Sequence, residues 1–466
     1  MSFENKRKIH FVGIGGAGMS AIAKVLLERG LSVSGSDLKR SGAIGVLEAT
    51  GAAVSIGHDA SNVAGVDLVV ISSAIPETNP EVVAAREIGI EVITRGRALA
   101  LVLEGTDAVI VAGTHGKTTT TSMIVSILLD GGSDPTYLIG GGLNDSGTNA
   151  RHGTSRLSVA ESDESDGSFL LLEPHVAVVT NVEADHLDHW GSFDAIVDAF
   201  DRWLGHVDDD GTIVVPAANH HLVDAARATG RKILTFGDGG DVAATDIAFD
   251  VPGARFELVE GGDSYPVVLK VRGAQIVSNA LAAAAACLAA GMSLEGVARG
   301  LGGYRGVERR FQRRGEAAGV VVIDDYAHHP TEIKAVLAAS RPGPWRRVVA
   351  VFQPHRYSRT QAFFEEFGGS FAGADRIVVT DIYGAGEQPR PGITGKLVSD
   401  SVAANLPGRS VAYLPHRDEV LDYLAVNLRP GDMVLTLGAG DVSAYGDELL
   451  SRLKEVETMS ESKVAP

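Results

Sequence analysis

The stretch Val109-Ile-Val-Ala-Gly-Thr-His-Gly-Lys-Thr-Thr-Thr-Thr121 restricts this chain more than any other. A run of β-formers ends in a glycine turn carrying Lys117 and opens into helical spacing, with Met123/Ile127 and Ile124/Leu128 paired at i,i+4 until Gly131-Gly132 stops the pattern. Strand, glycine turn, Lys-Thr and helix is the geometry of a triphosphate cradle. Glycines let backbone N–H groups converge on phosphate oxygens, the helix N-terminus adds partial positive charge, Lys117 reaches the outer phosphates and Thr118 can ligate Mg²⁺. The strict pattern places a glycine where this chain has Val111. An ordinary Gly-Thr turn is the bland alternative.

With 466 residues, roughly two to four domains are expected. Lys+Arg 41 against Asp+Glu 59 leaves a net charge of −18, which argues against a nucleic-acid or anionic-membrane partner. The lone cysteine, Cys287, lies in an Ala-rich run, so helix packing is its expected role and a disulfide framework is excluded. The charged N-terminus breaks at once into Gly13, Gly15 and Gly18, so a secretory leader is not expected. The longest apolar stretch, Asn279 to Met292, is too short to span a bilayer. A cytoplasmic protein is expected, with a polar, frayed tail from Lys454.

Strand and helix patterns alternate and restart twice, predicting three α/β domains: a Rossmann-like one over 1–104, a central P-loop ATPase-type one over 105–311, and a second Rossmann-like one over 312–466. Strands are expected at His10–Gly13, Leu31–Gly35, Leu68–Ser72, Glu91–Thr94, Leu157–Glu161, Val176–Asn181, Val320–Asp324, Val348–Phe352, Ile377–Thr380 and Met433–Leu437, with a strand-rich stretch from Ile247 to Val271. The first turn, Gly13-Ile-Gly15-Gly-Ala-Gly18, followed by Asp37, fits a dinucleotide fingerprint. Alone it admits an NAD(P)-dependent oxidoreductase, yet a nucleotide-sugar diphosphate suits the same helix N-terminus. The triphosphate cradle downstream favours a ligase or kinase.

Carboxylates and histidines fall after predicted strands, where open α/β sheets hold their ligands. One loop reads Glu161-Ser-Asp163-Glu164-Ser-Asp166, the next Asn181-Val-Glu183-Ala-Asp185-His186-Leu-Asp188-His189. Phosphoryl transfer needs hard oxygen ligands for Mg²⁺ near the γ-phosphate; the first loop supplies them, and His186 could complete a second metal site. An acidic surface loop, or a zinc hydrolase on Asp185, His186 and His189, are the alternatives. In the third domain Asp324-Asp325-Tyr326-Ala-His328-His329-Pro330-Thr-Glu332 and Gln353-Pro-His355-Arg356-Tyr-Ser-Arg359-Thr360 end two strands. Cationic and hydrogen-bonding groups there suit a carboxylate or small zwitterion, with capping and packing as the plain reading of the histidines.

Taken in order, Gly13–Ser20, Gly113–Thr121, Ala160–Asp166, Asn181–His189, Arg309-Arg310-Phe311, Asp324–Glu332 and Gln353–Thr360 resemble the Mur ligases of bacterial peptidoglycan synthesis over nearly the whole chain. Within the family the resemblance is to the ligases that add L-alanine to UDP-N-acetylmuramate. It implies ATP as co-substrate, two Mg²⁺ ions, an acyl-phosphate intermediate, and a monomer or homodimer with no nucleic-acid or membrane partner. It further implies that Gly15, Gly16, Gly18, Met19, Ser20, Asp37, Ser73 and Arg95 line the UDP-sugar site. Gly113, Thr114, His115, Gly116, Lys117, Thr118, Thr119, Asn279, Asp324 and Asp325 would serve ATP, with Thr118, Glu161 and His186 as metal ligands. Tyr326, His328, His355, Arg356 and Arg359 would bind the amino acid, and Lys117, His186, Arg310, His328 and His355 would carry catalysis. A family relative that adds a preformed peptide to the same sugar is the nearest alternative. One departure stands out: the family usually carries His-Asn ahead of the Asn-Ala-Leu segment, where this chain has Gln275-Ile276 before Asn279.

Overall fold

The computed structural model describes residues 7–72, 74–250, 253–272 and 274–462. Three sheets organise them, one for each predicted domain. By compactness the chain forms two units, Met1–Ile247 with Arg255–Leu269 and Val277–Val307, and Ala248–Ala254 with Lys270–Ile276 and Glu308–Pro466.

The first unit holds two sheets. Five parallel strands run in the order Ala53–Ile56, Ser32–Asp37, Lys8–Val12, Leu68–Ile71, Glu91–Thr94. Strand order reverses at Lys8–Val12, so the glycine turn that follows it opens into the crevice where such sheets bind ligands. The second sheet has ten strands, and its parallel centre places Asp107–Ala112 between Val176–Val179 and Leu157–Glu161. Val111 pairs with Glu161 and Ala112 with Val179, so three loops leave the same sheet edge side by side. Parallel strands must be apolar on both faces, as Val109–Ala112 and Val176–Val179 are, each fully buried or nearly so. One continuous core runs from Ile9 to Ala226 and serves both sheets, anchored by Phe169, Phe200 and Trp203 with ring centroids 5.0 and 5.7 Å from Phe169. Cys287 is buried in the helix Ala274–Ala289 with its thiol toward the Ile124 carbonyl, so packing is its place in the fold.

In the second unit six strands run Gln312–Ala317, Val320–Asp325, Asp432–Leu437, Arg347–Phe352, Arg376–Val379, Ser410–Tyr413, the first pair antiparallel and the rest parallel. Helices cover both faces with separate cores. Where a frayed tail is expected from Lys454, the described residues as far as Ser462 belong to the helix Ser443–Ser462. Leu449, Leu450 and Leu453 bury one face of that helix, and the Glu457 carboxylate accepts the Ala318 N–H at 3.3 Å. A helix already nucleated by packing extends through polar residues at little cost. Among the described residues no helix is long and apolar enough to cross a membrane.

Candidate functional site

The triphosphate loop adopts the shape its glycines allow. Gly113 and Gly116 take φ of +129° and +83°, and Gly116 precedes the helix Lys117–Asp130 as its N-cap. The loop is fixed from the neighbouring strand end. Asn181 accepts the His115 N–H and donates to the His115 carbonyl, both at 2.9 Å, while Thr180 donates to the same carbonyl at 2.6 Å. Thr114 accepts the Glu183 N–H at 2.9 Å. Thr118 is half-buried and Thr119 buried on the helix that follows.

Lys117 Nζ has three acceptors: the Gly113 carbonyl at 2.6 Å, the Thr114 carbonyl at 3.3 Å and Glu164 Oε2 at 2.7 Å. Burial opposes the ammonium charge, but Glu164, Asp163 and Glu161 outweigh it and raise the Lys117 pKa. Burial, reinforced by Asp163 and only partly offset by Lys117, pushes Glu164 up to about 7. Glu164 is thus the nearest charge to Lys117, a partner that its place in an acidic loop did not single out.

Thr118 and Glu161 converge over Gly140. A Cβ there would lie 3.1 Å from Thr118 Oγ1 and overlap Glu161 Oε1, so the missing side chain leaves a cradle between a hydroxyl and a carboxylate. His186 takes φ +54° at the head of a short helix, with Nε2 3.7 Å from Glu164 and 3.6 Å from Asp185. Donor atoms of Asp163, Glu164 and His186 all lie within 4.8 Å of one another. His189 is exposed and turns its ring to Trp190, outside that group, which removes the zinc-hydrolase constellation of Asp185, His186 and His189. Asn279 approaches the loop from the Ala-rich helix, and a Cβ on Gly116 would overlap its Oδ1. Gln275, one turn earlier, is exposed.

At the first glycine turn Asp37 Oδ2 accepts the Gly15 N–H at 2.9 Å, so the acid braces the turn. Gly16 is exposed; Met19 and Ser20 are buried, leaving Met19 only a backbone N–H to offer in the first helical turn. Arg95 lies against Gly18 and reaches Asp166 of the acidic loop at 3.3 Å. Ser73 lies outside the described residues.

In the second unit two strand ends, one on either side of Asp432–Leu437, deliver the predicted residues. Tyr326 and His328 follow Asp325, with ring centroids 5.3 Å apart. His328 stands 5.5 Å from His355, and Arg359 Nη1 lies 3.4 Å from His355 Nδ1. Burial first, then His328 and Arg359, hold His355 down to about 3, so its imidazole stays neutral. Arg356 carries φ +68°, a strained backbone at a strand end, and Nε of its guanidinium is buried with no hydrogen-bond partner among the described residues. His329 caps the next helix in a capping box with Glu332, the plain role foreseen for it.

Asp324 and Asp325 are buried and engaged within this unit. Asp324 binds Thr436 at 2.6 Å and Arg309 at 3.2 Å, and Asp325 accepts the N–H groups of Phe311 at 2.6 Å and Ala327 at 2.8 Å. Burial pushes the Asp325 carboxyl up to about 6. Arg310 lies 5.1 Å over the Tyr326 ring, while Arg309 also donates to the carbonyls of Gly438, at 2.5 Å, and Gly440, at 3.2 Å. Sequence reasoning passed over this third strand end, Gly438-Ala-Gly440-Asp441, although the signal of strand then glycines was present. It also passed over Tyr383, whose ring stacks on His355 at 5.8 Å and 10°.

Comparison with known proteins agrees with this architecture. Residues 8–106 match the model of the Mur ligase family catalytic domain, 111–287 the Mur ligase middle domain and 309–440 the Mur ligase glutamate ligase domain. The UDP-N-acetylmuramate–L-alanine ligase of Geotalea daltonii is 46% identical over 96% of this chain and 98% of its own length. That of Rubrobacter xylanophilus is 47% identical over 96% and 100%. The crystal structure of UDP-N-acetylmuramate–alanine ligase from Thermotoga maritima superposes with a TM-score of 0.83 at 29% identity, covering 96% of this chain and 99% of the other. A murein peptide ligase from Psychrobacter arcticus gives 0.74 at 25%, over 96% and 99%. Three matched domains in order, and near-half identity along the whole length, make this chain a member of the Mur ligase family.

Proposed function

We propose that this chain is an ATP-dependent, ADP-forming ligase that joins L-alanine to the lactyl carboxylate of UDP-N-acetylmuramate. The observation that carries the reading is the convergence of Lys117, Thr118, Glu161 and His186 from three neighbouring strand ends. The names of the full-length relatives supply the substrates. Residues 1–104 would take the sugar nucleotide, 105–311 ATP and 312–466 the amine, in the cytoplasm where both nucleotides are available.

A carboxylate resists attack because its charge repels a nucleophile and oxide cannot leave. Transfer of the ATP γ-phosphate to it gives an acyl phosphate; the amine then attacks, and the tetrahedral intermediate expels phosphate. Lys117 neutralises charge on the transferred group, an effect worth roughly 10²–10³ in rate. The donors fit Mg²⁺: the Thr118 and Glu161 oxygens would hold one ion, and the His186 nitrogen, beside the Asp163 and Glu164 carboxylates, a second, screening phosphate charge when bound. Arg356 and Arg359 would clamp the alanine carboxylate, and His328 and the neutral His355 would line the amine beside them. Gly15, Gly18 and Arg95 would meet the diphosphate of the sugar.

A coupled ADP-release assay tests the reading. Continued ADP release, beyond one equivalent per enzyme, should require both UDP-N-acetylmuramate and L-alanine. Turnover with a preformed peptide in place of L-alanine would favour the peptide-adding relative, and ADP release needing neither substrate would overturn the assignment.

A further inference from the structure

Lys117 leaves one of its three bonding directions to a side chain. Two go to carbonyls of its own loop, and the third goes to Glu164 Oε2 at 2.7 Å. A phosphate oxygen arriving in the loop needs that third direction, because the carbonyl contacts belong to the loop itself. Glu164 is buried, 2% exposed, so its carboxylate gives up water to stand there. It is held from behind, since the Trp190 indole N–H donates to the Glu164 carbonyl at 2.9 Å.

We propose that the Glu164 carboxylate is a built-in surrogate for an outer phosphate of the nucleotide, holding Lys117 in its working position until ATP displaces it. The inference rests on the nucleotide site proposed above and adds its regulation: Glu164 competes with ATP for Lys117. A buried ammonium without a counter-charge would be costly, and the surrogate keeps the empty loop paired and formed. Once displaced, the carboxylate remains beside His186 and Asp163.

The competition predicts a gain of affinity on removing an acid, which a structural role would not give. Binding of N-methylanthraniloyl-ATP to the full chain is measured in EDTA, so that lost metal ligation cannot contribute. Glu164→Gln should bind about tenfold tighter than wild type, since one charge-assisted bond no longer competes. Asp163→Asn removes a neighbouring carboxylate of the same loop but no bond to Lys117, and should gain no more than about threefold. AMP, which lacks outer phosphates, should bind all three proteins alike. If Glu164→Gln fails to fold, AMP binding is lost with it, and Glu164→Asp, whose carboxylate is drawn back by one methylene, carries the test with an intermediate gain. No gain in the folded variant, or a gain matched by Asp163→Asn, overturns the proposal. Absence of ATP-competed binding in wild type would instead overturn the nucleotide site itself, and the surrogate with it.

Discussion

Gly116 and Asn279 fit one against the other so closely that a methyl group at 116 would overlap the Asn279 amide oxygen. The turn that cradles phosphate therefore touches the helix that carries the candidate adenine reader. Gly116→Ala should suffer twice, from a left-handed φ of +83° that costs a side-chain-bearing residue about 1–3 kcal/mol, and from that overlap. The KM for ATP should rise at least tenfold, with a lower unfolding temperature. Adding Asn279→Ala should restore part of the stability, the part due to overlap. A double variant no more stable than Gly116→Ala would show that backbone strain alone is at work.

Base reading should fall to Asn279 without Gln275. An amide side chain can pair with the adenine N6 donor and N7 acceptor together, and Asn279 is half-buried at the loop whereas Gln275 is exposed. Asn279→Ala should weaken ATP binding by about 1–3 kcal/mol and narrow the preference for ATP over GTP. Gln275→Ala should leave kcat/KM for both nucleotides within about twofold. An equal loss in the two variants would put Gln275 in the family histidine's place after all.

Lys117→Ala should lose turnover by roughly 10²–10³ or more while UDP-N-acetylmuramate still binds, because its charge acts on the transferred phosphate and not on the sugar. Calorimetric titration with the sugar nucleotide and a single-turnover assay separate the two. Retention of a tenth of the wild-type rate would contradict the triphosphate reading.

Much of this architecture was legible because its signals are local. A strand, a glycine turn and a helix lie within about twenty residues, so the loops at Gly13 and Gly113 could be read directly. Side chains meeting across long separations could not: Glu164 finds Lys117 across 47 positions, and Arg309 reaches the Gly440 carbonyl across 131. The edge strand Gln312–Ala317 carries Arg313, Arg314 and Glu316 and shows no apolar alternation, so nothing in its sequence marked it. Its pairing with Val320–Asp325 through a tight turn makes the strand, by tertiary context overriding propensity. The Gly438 loop had its signal, but the residues that give it meaning, Arg309 and Gln353, come from distant segments.

Arg359→Ala should raise the KM for L-alanine more than that for ATP, since a carboxylate losing an arginine partner forfeits a charge-assisted bond of about 1.5–3 kcal/mol. His355, held neutral at about 3 by burial and its cationic neighbours, should not add a pH dependence of its own near neutrality. Steady-state kinetics with each substrate varied in turn give the split. Equal weakening toward both substrates would point to a disordered unit, not a lost clamp.

Acid should unfold the first domain through Glu81, which sits in the opening turn of the helix Pro80–Glu87 with no exposed surface. Its carboxylate accepts from Ser36 and Asn62, each at 2.5 Å, with His58 at 3.3 Å and His10 at 3.7 Å. Burial pushes the group up, but bonding to His10, Asn62 and Ser36 outweighs it and holds the pKa at about 2 against 4.5 when free. The folded chain therefore releases this proton more readily than the unfolded one. The resulting stability, on the order of 3 kcal/mol, is fully present above about pH 5 and is lost as pH falls through the window toward about 2. Glu81→Gln should lower the denaturation midpoint at neutral pH and flatten the fall of stability between about pH 5 and about pH 3. Urea unfolding of both proteins at several pH values measures this, followed by Trp fluorescence and by amide exchange within residues 8–103. If wild type and variant lost stability in parallel across that window, the acid lability would lie elsewhere than in this carboxylate.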